Sequence, residues 1–174
     1  MPYAIRRAVQ ADQASIIALV RAAGINPLDL RWQRFLVAED SGRVIGAIQI
    51  KLHRDGSREL ASLAVVAAYK GQGIGSALVR ALLATESGTV YLTCADRLEG
   101  YYTRFGFRRL EPVEMPPYFR RLSRLTSALS AILRIFGRHW RILVMVRKQG
   151  IGVRFCATQE TGGNGEDGRS RSLD

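Results

Sequence analysis

Long apolar runs are missing from this chain. No stretch reaches the roughly 18 consecutive apolar residues of a membrane span. The N-terminus lacks the basic-then-apolar layout of a secretory leader, since Ile5-Arg6-Arg7 is not followed by an apolar run. A cytoplasmic setting is therefore expected. Cysteine is scarce. Cys94 falls in a predicted strand and Cys156 in a polar tail, with no metal-ligand spacing between them, so neither a structural disulfide nor a metal site is expected. Histidine is equally rare, and His53 and His139 both sit in turn-like contexts that predict solvated rather than catalytic side chains. No Ser/His/Asp set is visible, which leaves hydrolytic triad chemistry without its parts.

Acidic residues are also in deficit, 15 against 26 Lys+Arg. The imbalance is local. Residues 97–148 carry 12 Lys+Arg against 3 Asp+Glu. Such a block fits either a solvated Arg-rich face or an anionic partner: a phosphate, a carboxylate, a nucleic acid or a membrane surface. The 174 residues suffice for one domain with its own core, and 47% hydrophobic content is ordinary for a globular protein.

Periodicity places the elements. Tyr3 to Arg6 predicts a short strand, and Asp12 an N-cap for a helix with Ile16, Leu19, Val20 and Ala23 on one face that ends at Gly24. Leu28 to Trp32 reads as a brief helical piece. Phe35–Ala38 and Val44–Leu52 are strands joined by the turn Glu39-Asp40-Ser41-Gly42, and His53–Gly56 is a second turn. Glu59 to Val66 is apolar almost throughout, as in a strand covered on both faces. A glycine loop, a helix from about Gly75 to Ala84, a strand at Thr89–Cys94, a helix from Leu98 closed by Gly106, and a strand at Phe107–Leu110 follow. Pro112, Pro116 and Pro117 exclude a helix over 111–117. A helical stripe then runs from Phe119 through Leu122, Leu125, Leu129, Ile132 and Phe136 with arginines opposite, before a last strand at Arg141–Val146. Residues 149–174 are Gly-rich and polar and predict a tail without fixed structure, leaving one domain over 1–148. The order predicts a mixed α/β fold, with helices covering a mostly antiparallel central sheet.

Gly71, Gly73 and Gly75 alternate between an apolar strand and a helix. Glycine lets backbone approach a ligand, and the helix start offers free N–H groups and a positive dipole end. With Lys70 as a point charge, these features suit a pyrophosphate; a plain strand-to-helix turn suits them too. The dinucleotide fingerprint is excluded because Ser76 stands at its last glycine, and the triphosphate loop because no Gly-Lys-Ser/Thr follows.

The run from Leu63 to Leu78, with Leu63-Ala64-Val65 leading into Lys70-Gly71-Gln72-Gly73-Ile74-Gly75-Ser76, resembles the signature of the GNAT N-acyltransferases. A second match follows in the right order: Tyr101-Tyr102-Thr103-Arg104-Phe105-Gly106-Phe107 is similar to the family's aromatic-Tyr-x-x-x-Gly-Phe. Lys70 stands where Arg or Gln is usual and Ala67 where Pro is frequent; both leave the backbone cradle intact. The resemblance covers about residues 3–148. It implies a GNAT-like fold, acetyl-CoA as co-substrate without a metal, and direct attack by a primary amine on the thioester.

By that resemblance, the loop residues Lys70 to Ser76 hold the pyrophosphate. Backbone groups of Leu63, Ala64 and Val65 receive pantetheine and acetyl, and Tyr102 protonates the leaving sulfur. On the residues alone, Tyr102 is equally a core aromatic. Glu59, six positions before Val65, resembles the glutamate base of some members; otherwise it is a strand-edge charge paired with Arg58 or Arg54. The acceptor is expected to be a small molecule or amino acid rather than a protein, and a homodimer is left open. The competing expectation is a basic binding module, with helix 119–136 on an anionic membrane or nucleic acid.

Overall fold

The computed structural model describes residues 3–135 and 142–148, with residues 127–135 described by backbone alone. The predicted tail, Cys156, His139 and Phe136 lie outside them. Seven strands form one sheet: β1 (Ala4–Arg7), β2 (Phe35–Asp40), β3 (Arg43–Leu52), β4 (Arg58–Val65), β5 (Thr89–Ala95), β6 (Arg108–Arg109) and β7 (Ile142–Lys148). Their spatial order is β1-β2-β3-β4-β5-β7-β6. Every neighbouring pair is antiparallel except β4 and β5. Four helices cover the sheet: α1 (Gln13–Ala22), α2 (Ile74–Thr85), α3 (Glu99–Thr103) and α4 (Pro117–Ile135). The expected mixed architecture is the observed one.

Alternation along the strands sorts the core into two sides. Val90, Leu92 and Cys94 of β5 meet Leu78 and Leu82 of α2 and Tyr102 of α3 on one face. Tyr91 points to the opposite face, where Phe119 of α4 packs with Val144 and Val146. Phe35, Val37 and Ala47 meet Ile16 and Val20 of α1 in a third cluster. In β4 the alternation breaks. Leu60 belongs with the α2 side and Ala64 with the α1 side, although they are four residues apart. The cause is a bulge: register against β3 shifts between Ala47 and Gln49, and Ser62 sits at φ +57. An extra residue re-aims every side chain beyond it.

Three local expectations are corrected. Asp12 is the N-cap residue of α1, as expected, but not through its side chain: the carboxylate accepts from Arg6 Nη1 at 2.7 Å and from the Val9 amide at 2.8 Å, tying β1 to the start of α1. That bond to Arg6 holds its carboxyl below the usual carboxylate range. Ala23, just past the helix end, is exposed rather than on the buried face. Pro117 does not exclude helix but begins α4, because the first helical position has no N–H to supply and favours proline's fixed φ. The helical piece before β2 is a single 3-10 turn at Trp32–Arg34.

Within α4, Phe119 is fully buried, whereas Leu125 is 71% exposed and turns away from the sheet, against the expected stripe. Replacing Phe119 by Ala should therefore cost about 3–5 kcal/mol. Leu125→Ala should stay within about 0.5 kcal/mol. Urea unfolding of both variants checks the pair.

Candidate active site

The site begins where β4 and β5 part. They pair only at Glu59↔Tyr91 and Leu60↔Leu92. Beyond Leu60, β4 stays on β3 and β5 continues on β7, so the facing edges of Ala61–Val65 and Thr93–Ala95 are unbonded to each other. A parallel pair left open partway is a notch with free backbone groups on its walls, able to take an extended chain as an added strand. Leu63 and Val65 are half-buried along it; Ala64 is buried toward α1, so it offers the notch only its backbone.

The glycine loop closes the upper end. Gly71 and Gly73 both have φ +81, and Gly73 is the N-cap residue of α2 in the left-handed region. A Cβ at either would meet no protein atom, so backbone conformation rather than crowding calls for glycine there. Gly75 differs: a Cβ would stand 3.3 Å from the Tyr101 hydroxyl. The first helical hydrogen bond is donated by the Ala77 amide to Gly73 O at 2.9 Å, so the amides of Gly73–Ser76 have no partner within the helix. Lys70 is exposed beside them, Gln72 donates to Ala68 O at 3.2 Å, and the Ile74 side chain is buried in the core, leaving its amide for the loop. These unpaired amides at a positive helix end fit a diphosphate.

The second motif lies across the notch from the loop. Tyr102 is 8% exposed and packs edge-on to Tyr101 and Phe107. Burial above all, with the nearby Cys94 thiol and Tyr101, pushes its phenol well above the ordinary value, so it keeps its proton at any working pH. Tyr101 reaches in the other direction: its hydroxyl is 3.4 Å from Ser76 Oγ, and Arg104 lies over its ring at 4.9 Å. Cys94 is buried, and burial pushes its thiol up to about 11. Thiolate is the nucleophilic form, so this cysteine is inert near neutrality.

On the opposite face, Glu59 is 6% exposed at the apex of the notch. It is not an edge charge paired with arginine: Arg58 pairs instead with Glu86. Thr93 Oγ1 donates to Glu59 Oε1 at 2.8 Å, and His53 Nε2 lies 2.8 Å from Oε2. His53 is consequently not the solvated turn residue its local sequence predicts. Its ring stacks on Tyr118 at 3.5 Å and meets Phe119 edge-on at 5.6 Å. Asp55 locks this corner by accepting from Ser57 Oγ at 2.6 Å and from the Tyr118 amide at 2.9 Å. Between Glu59 and the upper notch, Gln49 is fully buried and donates to Ser62 Oγ at 2.9 Å, while its Oε1 has no partner among the described residues. His53, Thr93, Gln49 and Tyr118 carry no motif, and sequence reasoning missed all four. Among the described residues no group of side chains could hold a metal ion, and no helix is long and apolar enough to cross a membrane.

Residues 31–109 match the model of the acetyltransferase (GNAT) domain. None of the curated proteins matches the chain. Among solved structures, it is similar to N-acetylglutamate synthase from Neisseria gonorrhoeae complexed with coenzyme A and N-acetyl-glutamate, at 21% identity and TM-score 0.63. That match covers 85% of this chain and 35% of the synthase, so the chain spans about a third of that relative. It is similar also to Rv2747 from Mycobacterium tuberculosis, in a complex containing CoA, at 23% identity and TM-score 0.62, covering 84% of this chain and 99% of that one. An acetyltransferase of the GNAT family from Staphylococcus aureus Mu50 shares 15% identity with TM-score 0.58, over 84% of this chain and 99% of that one. The match to the acetyltransferase (GNAT) domain spans residues 31–109, and the mostly antiparallel sheet with flanking helices is the fold of these structures.

The buried thiol supplies a check on the site's chemistry. In a Cys156→Ser background, folded Cys94 should react with iodoacetamide at pH 8 at least about 100-fold more slowly than after denaturation, because its thiolate is both rare and enclosed. Mass spectrometry of the labelled chain measures both rates.

Proposed function

We propose that the chain transfers an acetyl group from acetyl-CoA to a primary amine by direct attack. The observation that carries this reading is the notch between β4 and β5, which leads to the unpaired amides of Gly73–Ser76 at the start of α2. The amides, with Lys70, suit the diphosphate; the free edge of Leu63, Ala64 and Val65 suits the pantetheine amides as an added strand. The acetyl-CoA thioester supplies the activated acyl group, and this chain's residues manage the protons.

Tyr102 is the proposed acid. Its phenol stays protonated, so it can give a proton to the departing thiolate. Glu59 is the proposed base, held by Thr93 and His53 at the apex of the notch. It lies four residues along β4 from Leu63, about 13 Å at strand rise, so a proton reaches it through ordered water. Cys94, kept neutral, takes no part, which is consistent with a single direct transfer. The acceptor we favour is a small amine or amino acid, since two similar structures are of an N-acetylglutamate synthase. A panel of amines beginning with L-glutamate, scored by release of free thiol from acetyl-CoA, identifies it. If no amine releases thiol, the acyltransfer reading falls.

Two further outcomes are expected. Gly73→Asp places a negative charge and a strained residue at the amide cradle, and should weaken acetyl-CoA binding by at least about tenfold, one such factor being 1.4 kcal/mol. Calorimetry showing undiminished binding would remove the loop assignment. Tyr102→Phe keeps the ring and loses the donor, and should lower kcat about 10²-fold or more. Tyr101→Phe should change kcat little, because its hydroxyl touches Ser76 at the loop. Steady-state thiol release for both variants decides between the tyrosines, and a crippled Tyr101→Phe would reverse the assignment.

A further inference from the structure

A proton taken by Glu59 must also leave it, and the carboxylate has no exit of its own. Its residue is 6% exposed, one oxygen accepts from Thr93, and the other faces His53. Of these partners, His53 lines a surface pocket. That pocket is lined by His53 with Arg54 and Asp55 of the β3–β4 turn, and by Pro117, Tyr118 and Arg121 of α4. It lies at the far end of β4 from the glycine loop, on the other side of the Glu59↔Tyr91 pair. No described residue hydrogen-bonds Nδ1 of the imidazole.

We infer that His53 is a proton relay: it carries the acceptor amine's proton from buried Glu59 to the water of this pocket. The inference rests on the acyltransferase reading and on Glu59 as its base. In the step, an N–H bond of the acceptor ammonium breaks and its electron pair stays on nitrogen. The proton lodges on the Glu59–His53 pair. One proton then leaves the imidazole for pocket water, and the pair regains its starting charge. No oxidant or second reactant is needed.

The surroundings fit a relay better than a packing residue. Tyr118 stacked at 3.5 Å and Phe119 edge-on fix the ring plane, so Nε2 stays on the carboxylate. Imidazole has two ring nitrogens and can take a proton at one and release it at the other. The charged and titratable groups around it come from each packed element: Glu59 from β4, Asp55 and Arg54 from the turn, Tyr118 and Arg121 from α4, and, behind Phe119, Tyr91 from β5. Asp55 is already engaged by Ser57 and the Tyr118 amide, so Glu59 is the carboxylate bound to the ring. His53 acts through Glu59 and is a positioning and relay residue rather than one that touches substrate.

The test uses the full chain with the amine selected by the thiol-release panel. His53→Gln can still donate to Glu59 but carries no proton. It should lower kcat about 100-fold, the low end for a positioned proton-transfer group, while acceptor KM and acetyl-CoA Kd stay within about twofold. His53→Ala should be equally slow and should recover at least about tenfold in saturable fashion when free imidazole is added. His53→Gln, with its side chain still in place, should not respond to imidazole. Wild-type kcat in His53→Gln overturns the relay, as does a slow, fully folded His53→Ala that imidazole fails to rescue. If wild type itself releases no thiol with any amine, the acyltransfer reading fails and the relay falls with it. If His53→Ala melts at lower temperature, His53→Gln decides alone.

Discussion

Strand β4 has two neighbours that treat it differently. β3 pairs with it nearly end to end, from Leu52↔Arg58 to Gly46↔Val65, whereas β5 holds it at two positions only. Backbone groups left unpaired in a sheet interior are costly unless something else satisfies them. The chain concentrates that cost in one place. A bulge at Ser62, in the left-handed region at φ +57, sharpens the local twist, and β5 turns instead to β7 along its whole length. The notch that results is the reference for the other parts of the site: α2 starts above it, α3 packs on one face, and α4 seals the other.

The parts of this arrangement that were legible in the sequence are those encoded within a few residues. Gly71 and Gly73 announce positive φ and a helix start because no other residue adopts that backbone as readily. Ser41-Gly42 announces a tight hairpin, and both residues have positive φ. The spacing of Tyr102 to Gly106 marks the second motif only through its resemblance to the GNAT pattern. What was not legible depends on chain segments that meet late. His53 lies in a turn, with Gly56 at φ +78, and its local sequence predicts solvent. Its burial comes from Tyr118 and Phe119, held in place by an Asp55–Tyr118 bond between residues 63 apart. Arg58 is nearer to Glu59 in sequence than any other cation, yet successive residues on a strand point to opposite faces, so it pairs with Glu86. Pro117 misleads for a related reason: a proline forbids helix before itself but not after.

The period of the strand also decides where acid and base can stand. Leu92 and Cys94 of β5 face α2 and α3, and Tyr102 packs with them. Tyr91 faces α4, and Thr93, two positions on, reaches Glu59 on that same face. On the proposed assignment, the group that keeps its proton and the group that takes one are separated by the thickness of the sheet and see each other only through the notch. The two environments differ accordingly. Tyr102 sits among apolar rings with no described hydrogen-bond partner, which favours the neutral phenol. Glu59, by contrast, has two polar partners, Thr93 and His53.

This separation bears on the route of the acyl group. An acyl-enzyme through Cys94 would need a base on the α2 and α3 side to draw off the thiol proton. Among the described residues, burial favours the protonated forms of both the Cys94 thiol and the Tyr102 phenol on that side, and the charges of Glu99 and Asp96 push the thiol up further. The proposed base, Glu59, lies on the other face. On the proposed assignment, a nucleophile that enters from the α4 side loses its proton toward Glu59 while the thiol leaves toward Tyr102, so the bond changes occur once, across the gap. On that assignment, the opening of β4 from β5 suits direct transfer without a covalent intermediate, because the acid and the base stand on opposite faces of the sheet and communicate through the notch.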